Sequence, residues 1–286
     1  MSIVLDHISY TYMPETPYER TAIKDITLEI NQGEFIAIIG HTGSGKSTLV
    51  QHLNGLLKPT AGSITVDGVN INKKSAKAKA ACRKVGMVFQ YAEHQLFEET
   101  VYDDIAFGPR NQGVDEEFVQ RRVQQAMEFV GLDVEGFSKR SPFTLSGGQM
   151  RRVAIAGVIA LNPEYLILDE PSAGLDPKGR DEIFQQIMEL FKATGIAVVL
   201  VSHNMEDVAR MATRLIVMNH GEICLDGTPS VIFKNNRDQL KAAGVDVPNV
   251  TALMSKLKDK GLCVQDDVLT VEQATEAILA AVRRQC

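Results

Sequence analysis

The chain has 286 residues, 44% hydrophobic and 23% charged, which suits a soluble globular protein with one large domain or two modest ones. Thirty basic against thirty-six acidic side chains give a net charge of −6, a poor match for a phosphate backbone, so nucleic acid is not an expected partner. Apolar runs such as 35–39 and 196–201 fall far short of the ~20 residues that span a bilayer; the opening MSIVLDHISY has neither a basic nor an apolar leader region, so the expectation is a chain that stays in the cytoplasm.

In chain order, residues 33–39 read as a buried strand and 46–57 as the helix after it. Between them stands Gly40-His41-Thr42-Gly43-Ser44-Gly45-Lys46-Ser47, followed by Thr48. The glycines let the backbone curl so that successive N–H groups point at phosphate oxygens, and the helix adds its positive N-terminal end. Lys46 supplies a charge for the β- and γ-phosphates, and the Ser47 hydroxyl is placed for Mg2+. The lysine-rich stretch 72–84 reads more simply as a solvated helix or loop face than as a phosphate track. A strand at 85–90 and an amphipathic helix at 115–130 follow.

Ser146-Gly147-Gly148-Gln149 precedes a helix at 149–161. A hydroxyl and bare glycine amides there make either a second anion site or a plain N-cap. The strand 165–168 ends in Asp169 and Glu170, the first suited to Mg2+ and the second to orienting or deprotonating a water. A helix at 179–194 and strands at 196–202, 215–218 and 222–225 complete an α/β core. Beyond residue 228 the pattern becomes helical, with one apolar face from Asn249 to Gly261 and a capping pair, Thr270 and Gln273, before a last helix. Cys82, Cys224, Cys263 and Cys286 are too scattered for a zinc or redox centre.

Leu145-Ser146-Gly147-Gly148-Gln149, together with the glycine loop, resembles the signature of the ATP-binding cassette (ABC) ATPases, whose motifs occur in order from Tyr12 to His203. The resemblance implies a RecA-like core with an antiparallel β subdomain and a helical signature subdomain over residues 1–227, plus a C-terminal helical appendage at 228–286. It implies that Tyr12 stacks on adenine, that Gln90 reaches the metal and the attacking water, that Asp176 in Ser172-Ala173-Gly174-Leu175-Asp176 lies at a dimer interface, and that His203 contacts the γ-phosphate. It also implies that the signature of one subunit closes over the ATP of another.

No fused membrane segment, second cassette or long coiled coil interrupts the chain; 105 positions separate Gly40 from Leu145. Within importers, the segment QYAEHQLFEETVYDDIAFGP after the strand at 85–90, the stretch Gly221-Glu222-Ile223 to Gly227-Thr228-Pro229 and the helical tail resemble the ATPases of energy-coupling factor (ECF) transporters, which import vitamins and transition-metal ions. Met150-Arg151-Arg152 and the residues around Asp176 are similar to the second of the two paralogous ECF ATPases. That resemblance implies a heterodimer with the paralogue at the cytoplasmic face of the membrane, a transmembrane coupling subunit, and indirectly a substrate-binding membrane subunit. Glu93, Glu98, Glu99, Asp103 and Asp104 read as an acidic surface for arginines of that coupling subunit, or as a solvated acidic helix. An importer ATPase of another class and a soluble ABC module stand as alternatives, and the tail reads either as a dimer contact or as packing on its own core.

Overall fold

The computed structural model describes residues 1–265 and 267–285; Cys286 lies outside the described residues. The strands are β1 (Ser2–Tyr12), β2 (Arg20–Asn31), β3 (Phe35–Ile39), β4 (Ala61–Val66), β5 (Val69–Asn70), β6 (Val85–Val88), β7 (Tyr165–Asp169), β8 (Ala197–Val201), β9 (Arg214–Asn219) and β10 (Glu222–Gly227). The helices are α1 (Lys46–Leu53), α2 (Ala76–Cys82), α3 (Val101–Asn111), α4 (Glu116–Phe129), α5 (Val134–Phe137), α6 (Gly147–Ile159), α7 (Pro177–Thr194), α8 (Met205–Met211), α9 (Pro229–Asn235), α10 (Arg237–Ala242), α11 (Asn249–Asp259) and α12 (Val271–Gln285).

A six-stranded sheet, ordered β10-β9-β3-β8-β7-β6, is parallel except for β10 at its edge. Every residue of β3, β7 and β8 is buried, as continuous apolar runs require when both sheet faces are covered. One face packs Ile36, Ile38 and Ile167 against α1 and an antiparallel sheet, β2-β1-β4-β5, through Ile3, Leu5, Ile26 and Leu49. The other packs Phe35, Leu166 and Leu168 against the helices through Val123, Val153 and Phe184.

The antiparallel sheet of the expected subdomain is present, although its strands break strict alternation. Register shifts flank His7 in β1 and Asp25 in β2, both with φ near +47°, and His7 Nδ1 lies 2.7 Å from Asp25 Oδ1 across the two bulges. A polar rivet ties this sheet to the central one. Asp67, in the β4–β5 turn, accepts from Lys84 Nζ at 2.6 Å and from the Tyr165 hydroxyl at 2.7 Å.

The tail divides between two cores. Ile232, Phe233 and Leu240 of α9 and α10 pack on Ala37, Ile39, Leu215 and Val217 of the central sheet, whereas α11 and α12 enclose a separate cluster with Met254, Val264, Val268, Ala274 and Ala281. The Thr270–Gln273 capping pair forms as the sequence predicts. No described helix is long and apolar enough to cross a membrane.

Candidate functional site

The turn between β3 and α1 is built around glycines that admit no side chain. Gly40 has φ 150°, and a Cβ there would lie 2.3 Å from the Met218 carbonyl oxygen; Gly45 has φ 106°, and its Cβ would lie 2.6 Å from the Ala22 carbonyl oxygen. The loop opens on a cavity of about 330 Å3 lined by Tyr12, Thr42, Gly43, Gly45, Lys46, Ser47, Thr48, Gln90, Asp169, Glu170 and His203, together with Arg20, Ala22 and Val201. Strand order explains the convergence: β3, β6, β7 and β8 are parallel, so the residues after their C-terminal ends gather on one edge of the sheet.

Lys46 is 6% exposed and donates from Nζ to the carbonyls of Gly40 at 2.7 Å and His41 at 3.0 Å. Two of its three N–H donors are thus fixed, and one is left for an anion in the cavity. Burial lowers its pKa, opposed by the nearby Glu170 and Asp169 carboxylates. Burial raises the Asp169 carboxyl, opposed by the Ser47 hydroxyl and the Lys46 charge. Burial and the Asp169 charge push Glu170 up to about 7. His203, lowered by burial and by Lys46, brings Nε2 to 3.3 Å from Glu170 Oε1. The two atoms are not aligned for a hydrogen bond, and that oxygen is buried without a partner. Glu170 sits at φ 52°, a left-handed conformation held by its N–H donating to the Val201 carbonyl.

Tyr12, at the end of β1, is 38% exposed, and its hydroxyl lies 3.1 Å from Thr48 Oγ1. Its ring meets Tyr10 edge to face, leaving it at the rim of the cavity. Gly40 and Ser44 are buried. His41 faces elsewhere: its N–H donates to the Ala243 carbonyl at 3.2 Å and its ring packs on His220. That contact runs from the phosphate-type loop to the residue after α10.

Ser146, Gly148, Gln149 and Asp176 line a different cavity of about 500 Å3, with Gly174, Leu175 and Arg152. Ser146 and Gln149 form a reciprocal capping box, and Gly147 presents a bare Cα with nothing in the way of a Cβ. The two cavities share no residue.

Several of these residues carry no signal in the sequence. Arg20 enters because β2 pairs it with Tyr12; a cation opposite the rim aromatic is visible only once that register is known. The expected acidic surface is partly consumed internally. Glu93 pairs with Arg151 Nη2 at 2.8 Å, Asp103 with Arg110 at 3.0 Å, and Asp104 accepts the N–H groups of Phe97 and Glu98. Arg151, 3% exposed in its side chain, also donates to the Ala173 carbonyl, so it fastens the segment after Gln90 to the loop before Asp176.

The family model described as ABC transporter matches residues 23–173. The energy-coupling factor transporter ATP-binding protein EcfA2 of Clostridium tetani is 56% identical over 98% of this chain and 96% of that protein, and that of Clostridium perfringens 55% identical over 99% of each. Among solved structures, cbiO1 of Clostridium perfringens, part of the ABC transporter complex cbiONQ, superposes with a TM-score of 0.71 at 37% identity, covering 84% of this chain and 94% of that one. The ATP-binding cassette MJ0796, in a dimeric post-hydrolysis state bound to ADP and Pi, superposes with a TM-score of 0.71 at 29% identity over 79% of this chain and 98% of its own.

Proposed function

Because the chain belongs to the ABC transporter family, among the ATP-binding proteins of energy-coupling factor transporters, we propose that it powers micronutrient import by closing and reopening an ATPase heterodimer. It is an ATP hydrolase of that family. The observation that carries the mechanism is the division of the chain into two unlike cavities without a common residue. One is a phosphate cradle with two carboxylates, and the other a capped helix start beside Asp176.

In the first, the backbone N–H groups of Gly43 and of Gly45 to Thr48 and the free donor of Lys46 hold the phosphates, the Ser44 N–H being taken by the His41 carbonyl, while the Tyr12 ring carries the adenine. The oxygen donors of Ser47, Gln90 and Asp169 suit a hard cation such as Mg2+, which would neutralise charge on the β- and γ-phosphates. Glu170, with a carboxylate oxygen buried and unpartnered, takes a proton from the attacking water. His203 holds the γ-phosphate. In the second cavity, Ser146, Gly147, Gly148 and Gln149 offer hydroxyl and amide donors to the γ-phosphate on the paralogous partner, with Asp176 at the seam. A chain with one of each is half of a two-nucleotide engine.

The segment after Gln90 is the docking surface for a transmembrane coupling subunit, which places the chain at the cytoplasmic face of the membrane; a separate substrate-binding membrane subunit selects the cargo. Exposed Phe97 and Phe107 stack edge to face there, and the uncommitted Glu99 beside them offers charge to basic helices. Lys46→Ala tests the cradle. ATP affinity falls by an order of magnitude or more in a binding titration, and unchanged affinity would remove Lys46 from the site. Copurification tests the transport reading: a chain extracted without any integral membrane protein would refute it.

A further inference from the structure

An open groove of about 780 Å3 lies between the end of α1 and α2, and Leu56, Lys58, Lys73, Lys74, Lys79 and Arg83 line it. All five cations are exposed, and among the described residues none has an acidic partner at ion-pair distance; Lys58 donates only to the Asn72 carbonyl, at 3.3 Å. The next residue, Lys84, is by contrast held by Asp67 and Glu164. Lys77 adds a further exposed charge on the same helix. In a chain of net charge −6, this much unneutralised positive charge in one place is costly through mutual repulsion unless something anionic relieves it. A solvated helix face accounts for lysines on α2. It does not account for cations from three segments lining one groove together with Leu56, which is 58% exposed.

We propose that this groove seats against an anionic lipid surface. The lysine stems and Leu56 enter the headgroup boundary, and the ammonium and guanidinium groups pair with lipid phosphates. A groove that carries both an exposed apolar side chain and cations matches a surface that is apolar beneath and negative above, whereas an acidic peptide would leave Leu56 without a counterpart. The groove shares no residue with either nucleotide cavity. Arg83 stands seven residues before Gln90, with β6 between them. A groove held on lipid therefore fixes the strand that carries the glutamine. The proposal also rests on the transport reading above, which puts the chain at a membrane face; the charge and lining of the groove are observed independently of it.

The test uses the full chain without nucleotide, sedimented with vesicles of phosphatidylcholine alone or mixed with phosphatidylglycerol. Binding is expected only to the mixed vesicles and to weaken with salt. At about fivefold per lysine, the combined variant Lys73→Gln, Lys74→Gln, Lys79→Gln binds them about a hundredfold less tightly, with ATP turnover unchanged. Leu56→Ala weakens binding by a smaller factor that salt does not alter. Equal binding to both vesicle types, or wild-type binding by the triple variant, overturns the proposal. So does a triple variant that keeps its vesicle binding but loses a membrane subunit, since the groove then serves an acidic protein segment. Vesicle binding is read without ATP, so its failure leaves the hydrolysis reading intact, and the reverse also holds.

Discussion

Glu170 combines two costs at one position. Its backbone is left-handed at φ 52°, worth about 1–2 kcal/mol for a residue with a Cβ, and its carboxyl is buried next to Asp169. Strain and like charge concentrated on one side chain that lines the cavity fit a catalytic base. Glu170→Gln removes the buried charge while keeping the shape. Turnover should fall by about 10²–10⁴, with nucleotide trapped in a closed dimer, while the melting temperature of the nucleotide-free chain rises. Normal turnover, or a lower melting temperature, would contradict this account of the residue. The cradle, the carboxylate pair and the capped helix start were legible in the sequence because each is a contiguous run whose residues act on one ligand atom set. Arg20, the Glu93–Arg151 pair and the His41–Ala243 contact were not. Glu93 and Arg151 lie 58 positions apart, His41 and Ala243 on distant parts of the chain, and Arg20 meets Tyr12 only through the bulged register of β1 and β2, so no local pattern encodes them.

Among the elements, the same contrast separates the sheets. The runs of β3, β7 and β8 announce strands buried on both faces, whereas the paired bulges at His7 and Asp25 shift the apolar positions of β1 and β2 out of period and hide both strands. The rivet at Asp67 holds that sheet to the core. Burial raises the Asp67 carboxyl, but hydrogen bonds from Lys84 and Tyr165 outweigh it and leave it below the usual carboxylate range. A folded pKa below the unfolded one contributes stability that is present at neutral pH and lost as pH falls through the folded value. Asp67→Asn should therefore cost about 1–3 kcal/mol at pH 7, with a gap to wild type that narrows in acid; denaturant titrations at neutral and acid pH measure both. A gap that stays constant with pH would remove the ion pair from the explanation.

The contact between tail and glycine loop is another element-scale feature. Gly244 has φ 66°, and a Cβ there would lie 3.1 Å from His41 Cβ. On the other flank, Glu206 of α8, the helix after His203, accepts from the Asn249 backbone and side chain. The residues following α10 thus brace both the loop that cradles phosphate and the helix behind the histidine. Gly244→Val should raise the KM for ATP severalfold with a smaller change in kcat, beyond the loss of about 1–2 kcal/mol expected from its backbone. Steady-state kinetics decide it: a fall in stability with an unchanged KM would reduce the contact to packing.

For the whole molecule, the two cavities and the buried Arg151 link form one arrangement. In the proposed reading the cradle holds this chain's own nucleotide; the capped helix start is exposed at Ser146 and Gly147, and Arg151 ties the segment after Gln90 to the loop before Asp176. The central claim is that these two surfaces serve different ATP molecules. Its most direct test is Ser146→Arg in the heterodimer with the paralogous ATPase, measuring nucleotide affinity at this chain's cradle and hydrolysis at the partner's. Affinity at the first should stay unchanged and hydrolysis at the second should be lost. Impaired affinity at this chain's own cradle, or undiminished hydrolysis at the partner's, would contradict it.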